Sequence, residues 1–180
     1  MDEWLNLLRE SLASESADRP AVIVLATLSR NGSPRARCVV CRAIDDDGSI
    51  WFVSDARSKK NQQIKLDRRV EAVFWLANLK RQFRIRGEAR VIGASDPRAV
   101  ELWQALPDVT RAMFTWPAPG EPLQNTSFLT SLSADASPPQ TFEAIAIHPS
   151  FVEVLDLNEH PHRRQRFRRK NGWRAEQVNP

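Results

Sequence analysis

The 180-residue chain has no tyrosine, only two cysteines and two methionines, and no long apolar run. No stretch approaches the roughly 18 apolar residues of a membrane-spanning helix, so a helical membrane protein is excluded. The opening MDEWLNLLRESL lacks a basic region, an apolar core and a small-residue cleavage pattern, so no secretory signal is read there. A cytoplasmic location without a membrane partner is the expectation. Cys38 and Cys41 fall three apart in RARCVVCRAI, a stretch that reads as a strand, where they point to opposite faces. There is no second ligand pair for a zinc knuckle. The β-branched Val39–Val40 between the cysteines argues against the helix that normally opens on a redox C-x-x-C. The three histidines, His148, His160 and His162, form no metal pattern with any carboxylate pair, so no metal is expected. Nucleophile-elbow, Walker, HExxH and dinucleotide fingerprints are all missing, which leaves hydrolysis by a side-chain nucleophile with little support.

What is present fits one globular domain over residues 1–180, with 42% hydrophobic and 27% charged residues. The formal charge of +4 is unevenly spread. Residues 160–174, HPHRRQRFRRKNGWR, hold seven of the 26 basic residues and no acid, while the rest of the chain is mildly acidic. Such a cluster suits phosphates, whether of a nucleic acid or of a small molecule, or simply solvent.

The pattern of residues predicts a mainly β protein. Residues 3–13 form a helix burying Trp4, Leu5, Leu8 and Leu12, ended by SESADRP. Ala21–Leu28, Arg35–Ile44 and Ser49–Ser54 read as a three-stranded antiparallel meander with turns at Asn31–Gly32 and DDDG. A short helix follows, capped by Ser54 or Asp55, with Ile64 and Leu66 inward. Strands are expected at Val70–Ala77 and Gln82–Ile92, then a helix opened by Asp96–Pro97 and carrying Val100, Leu102 and Trp103. Residues 117–140 read as a loop with a short ordered piece at Phe128–Leu132. Glu143–Ile147 and Phe151–Leu157 are strands, and Asn171–Gly172 closes a hairpin over about 165–178. No βαβ rhythm appears, so a closed or split antiparallel barrel with a few short helices fits best. Trp4, Trp75 and Trp103 are expected in the core or at an interface.

Three polar clusters carry chemistry. Arg35 and Arg37 share one strand face, with Arg42 opposite in ideal alternation. Ser58, Lys59 and Lys60 fall in a helical first turn, where free N–H groups attract anions and basic side chains oppose the helix dipole unless an anion offsets them. Lys80, Gln82, Arg84 and Arg86 line one face of a strand whose other face holds Phe83 and Ile85. Each of the three could equally be a solvated surface.

RCVVCR (37–42), FVSDARSKK (52–60), FWLANLKRQFRIRG (74–87) and the closing HRRQRFRRKNGWRAEQVNP (162–180) occur in an order and spacing that resemble the pyridoxamine 5′-phosphate oxidase-like split-barrel family. The resemblance points to a subgroup distinct from the true oxidase. It implies a homodimer binding FMN between its subunits. Arg37 and Lys60 would hold the phosphate, with Lys59 beside them. Val53 and Ser54 would lie along the ribityl chain and ring edge. Gln82 would reach the flavin from the facing subunit or an adjoining strand, Leu155 would give apolar contact, and Arg166 would approach the polar edge of the ring. On the substrate side it implies Arg42, Thr110, His162 and Arg164, with Arg164 and Arg166 the candidates for shaping the reaction. The tyrosine and arginine that grip the oxidase's substrate phosphate correspond to Leu102 and Leu106. An FMN-dependent oxidoreductase with an unidentified small substrate is therefore expected, with hydride passing to or from flavin N5. A non-catalytic FMN carrier or sensor is the alternative. A nucleic-acid module is disfavoured, because Phe167 and Trp173 are the only aromatics within the basic segment.

Overall fold

A computed structural model describes residues 2–15, 19–123 and 127–180. The expected helix-ending stretch and the 117–140 loop lie partly outside the described residues. In chain order the elements are α1 (Glu3–Glu15), β1 (Val22–Leu28), β2 (Pro34–Val40), β3 (Ala43–Ile44), β4 (Ile50–Asp55), α2 (Lys59–Leu66), β5 (Arg69–Leu76), β6 (Arg81–Gly93), α3 (Pro97–Gln104), α4 (Asp108–Ala112), β7 (Phe142–Asp156), β8 (Arg163–Arg168) and β9 (Ala175–Val178). The strands form one antiparallel sheet ordered β2-β1-β5-β6-β7-β4-β3, with β8 and β9 added along β7. This is the expected split barrel.

The expected meander is corrected. β4 pairs with β7 and β3, not with β2. The single strand expected over 35–44 is two, because the chain changes edges inside it. The Cys41 N–H donates to the Ala21 carbonyl on the β1 side, and the next N–H, of Arg42, donates to Trp51 on β4. The two ends of the strand order are thus consecutive in sequence, and the sheet curls to meet itself at Cys41–Arg42. Cys38 is exposed and Cys41 buried, as the spacing requires.

Alternation sets the faces. Ile23 and Leu25 of β1, Ala72 and Phe74 of β5, Phe83 and Ile85 of β6, and Val152 and Val154 of β7 fill the interior. The amphipathic α1 closes one end with Trp4, Leu5 and Leu8, and Trp4 packs 5.3 Å from Trp173. Gly48 (φ +81°) lies directly beneath Trp4, where a Cβ would come within 2.7 Å of the indole. A second core outside the barrel joins α3 to β7 through mutual edge contacts of Trp103, Phe114 and Phe142 at 5.0–5.8 Å. α3 starts as its sequence dictates, with Asp96 accepting from the Arg98 N–H and Pro97 in the first turn.

Other boundaries differ. α2 begins after Ser58, not at Ser54 or Asp55, because Ser54 belongs to β4 and Arg57 claims Asp55. Leu66, expected inward, is 66% exposed, and Trp75 is half-exposed on the outer face. Phe128–Leu132 forms neither helix nor strand. β7 continues through His148–Pro149 by carrying a bulge of its own: Arg86 faces Phe151 and Gly87 faces Pro149, so Ser150 is the extra residue left unpaired on β7. A Cβ at Gly87 would lie 2.1 Å from the His148 carbonyl oxygen. Gly87→Ala is therefore expected to destabilise the protein by about 3 kcal/mol, at the upper end for overpacking. Urea unfolding at unchanged slope would show it.

Candidate functional site: two cationic constellations on opposite faces of the sheet

The first constellation lies between β2 and α2. Arg37 pairs in register with Leu25 and so belongs to the inward-facing row. Its guanidinium donates to the Leu25 carbonyl (3.2 Å), Thr27 Oγ1 (2.7 Å) and Gln63 Oε1 (2.8 Å). These acceptors are all neutral. Among the described residues, Lys60 Nζ reaches only Ser58 Oγ, at 3.3 Å. Neither cation takes part in an ion pair among the described residues. Burial pushes both below their ordinary pKa, and for Lys60 the positive charge of Arg37 lowers it further against a weaker pull from Asp55. Asp55 is itself held by Arg57 at 2.6 Å, and Arg57 also donates to the Trp116 carbonyl.

The start of α2 adds to this positive region. The Ser58 side chain makes no capping bond to a backbone N–H of the helix, and the first turn holds no acid. Behind it runs a buried chain: Ser54 Oγ to Ser58 Oγ (3.1 Å), Ser58 Oγ to Asn61 Oδ1 (2.9 Å) and Asn61 Nδ2 to Glu143 Oε2 (2.6 Å). Lys65 completes the set on Glu143 at 2.6 Å. The Ser54 hydroxyl thus braces the helix start, and Val53 is half-buried beside it on β4. Lys59 is exposed. Two desolvated cations at this end of α2 thus have neutral acceptors and no ion-pair partner among the described residues.

The second constellation lies on the outer face of β5 to β8. Trp75, Gln82, Leu155 and Arg164 form one cross-strand row, and Val73, Arg84, Glu153 and Arg166 the next. Arg164 and Arg166 both donate to Glu153. The sequence-derived site residues are therefore brought together in two groups, not one. Arg37, Val53, Ser54, Lys59 and Lys60 gather around α2, whereas Gln82, Leu155, Arg164 and Arg166 share the outer face. A continuous sheet separates Arg37 from Gln82.

The remaining candidates scatter. Arg42 sits at the edge change beside a cavity of about 570 Å³ that Trp75 also lines. Its guanidinium is desolvated, which lowers its pKa, and its Nε has no hydrogen-bond partner. His162 is half-buried, with Nδ1 2.9 Å from the Glu159 carbonyl oxygen and its ring 4.8 Å from that of His160. Thr110 lies in α4 near the second core. Leu102 and Leu106 are 4% and 3% exposed within that core, out of reach of any ligand.

Three polar residues were not read from the sequence. Thr27 and Gln63 orient Arg37, and their polar side chains at otherwise apolar, inward-facing positions were the available signal. Arg111 is almost fully buried, its donors spent on Asp108 and the carbonyls of Trp103, Gln104, Leu106 and Leu132. It ties the end of α3 to the following loop and is not available to a ligand.

The sheet order and the short flanking helices define the class of antiparallel split β-barrels. The family model described as "Pyridoxamine 5′-phosphate oxidase, FMN-binding domain" matches residues 1–93, and the chain belongs to that family. Membership and fold together support a flavin-binding, oxidoreductase-type role at the level of the family. A pyridoxine/pyridoxamine 5′-phosphate oxidase 2 from Arabidopsis thaliana is 28% identical across 98% of this chain and 96% of its own length. A pyridoxine/pyridoxamine 5′-phosphate oxidase from a Cyanothece species is 40% identical over 53% of this chain, a match spanning 44% of that protein. The structure of a pyridoxamine 5′-phosphate oxidase-related, FMN-binding protein from Nostoc punctiforme superposes with a TM-score of 0.91 at 28% identity, covering 100% of this chain and 99% of that one. PhzG from Burkholderia lata shares the fold, with a TM-score of 0.82 at 20% identity over 100% of this chain and 94% of its own.

The unpaired cations predict a trade-off. Lys60→Met removes a half-buried charge that Asp55 compensates only weakly, and should stabilise the ligand-free protein by about 0.5–1 kcal/mol. Because the Lys60 pKa is lowered on folding, the unfolded chain binds more protons there. The lysine's cost is therefore complete below its folded pKa and fades as pH rises toward its ordinary value. The advantage of Lys60→Met in urea melts should shrink over the same alkaline range.

Proposed function

We propose that the chain binds FMN between two copies of itself and acts as an FMN-dependent oxidoreductase, exchanging hydride with an unidentified small substrate. The observation carrying this reading is the pair Arg37 and Lys60, held together against neutral acceptors at the start of α2. A phosphate supplies the negative charge that the pair lacks. Arginine offers a fork to its oxygens, and lysine adds a point charge. Lys59 contributes from the exposed side, while Val53 and Ser54 flank the path leading away from the helix start.

Bound flavin supplies the redox chemistry. The chain's own residues bind it, orient it and set its electrostatic surroundings. Gln82, Leu155 and Arg166 face away from Arg37 across the sheet, so one copy cannot close both groups on one ligand. A second copy presenting its outer face would complete the site, with the β8–β9 hairpin part of that contribution. The half-exposed Trp75, with Val22 and Val24 on the same face, gives such an association apolar surface to bury. Substrate would meet Arg164 on the outer face, with Arg42, His162 and Thr110 as the further candidates.

The substrate is proposed to differ from pyridoxamine 5′-phosphate. Leu102 and Leu106 lie inside the second core, and Arg111 is committed to carbonyls, so that side of the site has few cations left for a substrate phosphate. The same observation favours the second reading, an FMN carrier or sensor without turnover. Nucleic-acid binding draws less support, because Arg164 and Arg166 of the basic segment share Glu153 and Arg168 pairs with Glu176.

Purified protein incubated with FMN should show the bound-flavin absorbance spectrum and scatter light as a dimer; a colourless or monomeric product would refute the reading. Arg37→Glu should weaken FMN binding at least about 100-fold, given roughly 1.5–3 kcal/mol for each hydrogen bond to a charged group. Efficient steady-state turnover of pyridoxine or pyridoxamine 5′-phosphate would overturn the altered specificity. Reduction by NADH or NADPH, followed by reoxidation, would argue against the carrier.

A further inference from the structure

Glu153 is the conspicuous acid of the outer face. Alternation along β7 turns it away from the barrel interior, between Val152 and Val154, yet it is only 5% exposed. Arginines bury it. Arg164 donates to Oε1 at 2.6 Å, Arg84 approaches the same oxygen at 3.4 Å, and Arg166 donates to Oε2 at 2.9 Å. Register places Arg84 and Arg166 directly opposite Glu153 on its two flanks. Arg84 is further bound to Glu71 at 2.9 Å. Burial opposes ionisation of Glu153, but the hydrogen bonds from Arg164 and Arg166 and the charges of Arg164 and Arg84 outweigh it, and the carboxyl titrates below its ordinary value.

The two carboxylate oxygens divide the work. One fixes Arg164 and the other Arg166, so a single rigid group sets the spacing of two long, otherwise flexible side chains. The Nε of Arg164 is buried without a partner, so the bond to Glu153 is the one that holds this guanidinium. Glu153 also places a negative charge directly behind both cations, which weakens their field on whatever lies in front of them.

We infer that Glu153 is a positioning residue that orients Arg164 and Arg166 toward the flavin and tempers their positive field, thereby setting the reduction potential of the bound cofactor. This rests on the FMN reading above. A cation at the polar edge of the ring favours electron uptake, and a carboxylate behind that cation reduces the preference. A merely structural role for Glu153 would affect folding and leave the potential of correctly folded, loaded protein where it was.

The test compares wild type, Glu153→Gln and Glu153→Asp, each loaded with FMN. Midpoint potential is read by equilibration with dyes of known potential, and affinity by flavin fluorescence. Glu153→Gln keeps an acceptor and loses the charge. It should bind oxidised FMN within about threefold of wild type, yet favour the reduced form about tenfold more, a rise of ~30 mV for two electrons. Glu153→Asp should lie closer to wild type. An equal or lower potential in Glu153→Gln overturns the inference. Should that variant fail to fold, Arg84→Met supplies the test. It leaves more of the carboxylate's charge facing Arg164 and Arg166, so the potential should fall; an unchanged value overturns the inference equally. If wild type takes up no flavin, the FMN reading itself has failed, and this inference falls with it.

Discussion

The change of edge at Cys41–Arg42 is the constraint on which the rest of the molecule depends. Two successive N–H groups donate in opposite directions, one to the β1 side and one to β4. That pair of bonds converts an open sheet into a curled one. It leaves β2 at one edge with Arg37 directed inward, and sends the chain on through β4 to the start of α2. The helix then lies against the inner end of β1, where Gln63 meets Arg37 and Thr27. Without the closure, the arginine of one edge and the helix launched from the other would not share a space. Arg42, placed at the switch itself, loses solvent for the same reason.

Charge in this protein is informative by compensation, not by count. The basic segment at 160–174 stands out in the sequence, yet Arg164 and Arg166 share Glu153 and Arg168 meets Glu176 once strands pair. Arg37 and Lys60 are unremarkable in composition, yet they end up together, desolvated and without an acid. A buried cation without a counter-charge carries a solvation cost that a ligand can relieve. The folded arrangement therefore separates arginines that share a carboxylate from cations that have none, a distinction that linear spacing does not contain.

Local chemistry was legible in the sequence, and long-range pairing was not. Asp96–Pro97 announced α3, and alternation announced the strands. Each of those signals is written within a few residues. Both expected hairpins form, β1 with β2 and β3 with β4, but a strand pattern does not name its second neighbour, and β4 finds β7 some 90 positions later. The break at Cys41–Arg42 failed because each half has ordinary strand residues. Glu153 and Gln63 went unread as partners of arginines because those contacts are set by register across separate strands and a helix. The resemblance to split-barrel flavoproteins supplied the grouping of Arg37 with Lys60 and of Gln82 with Arg166. It could not supply which face of the sheet each group occupies.

That last point decides how the two constellations relate. In a curled sheet, residues of one cross-strand row share a face, and residues of alternate rows do not. Arg37 shares its row with Leu25, Ala72, Ile85 and Val152, all of them interior; Gln82 shares its row with Trp75, Leu155 and Arg164, all outward. No side-chain rotation carries a residue through a hydrogen-bonded sheet. If both groups serve one ligand, the outer face must belong to another copy of the chain, and the surface that pairs the copies is then also the surface that tunes the ligand. The buried Glu153 among its arginines fits such a surface better than an open one. An ion cluster desolvated in this way is costly to assemble, and it is retained most readily where its geometry serves something placed against it.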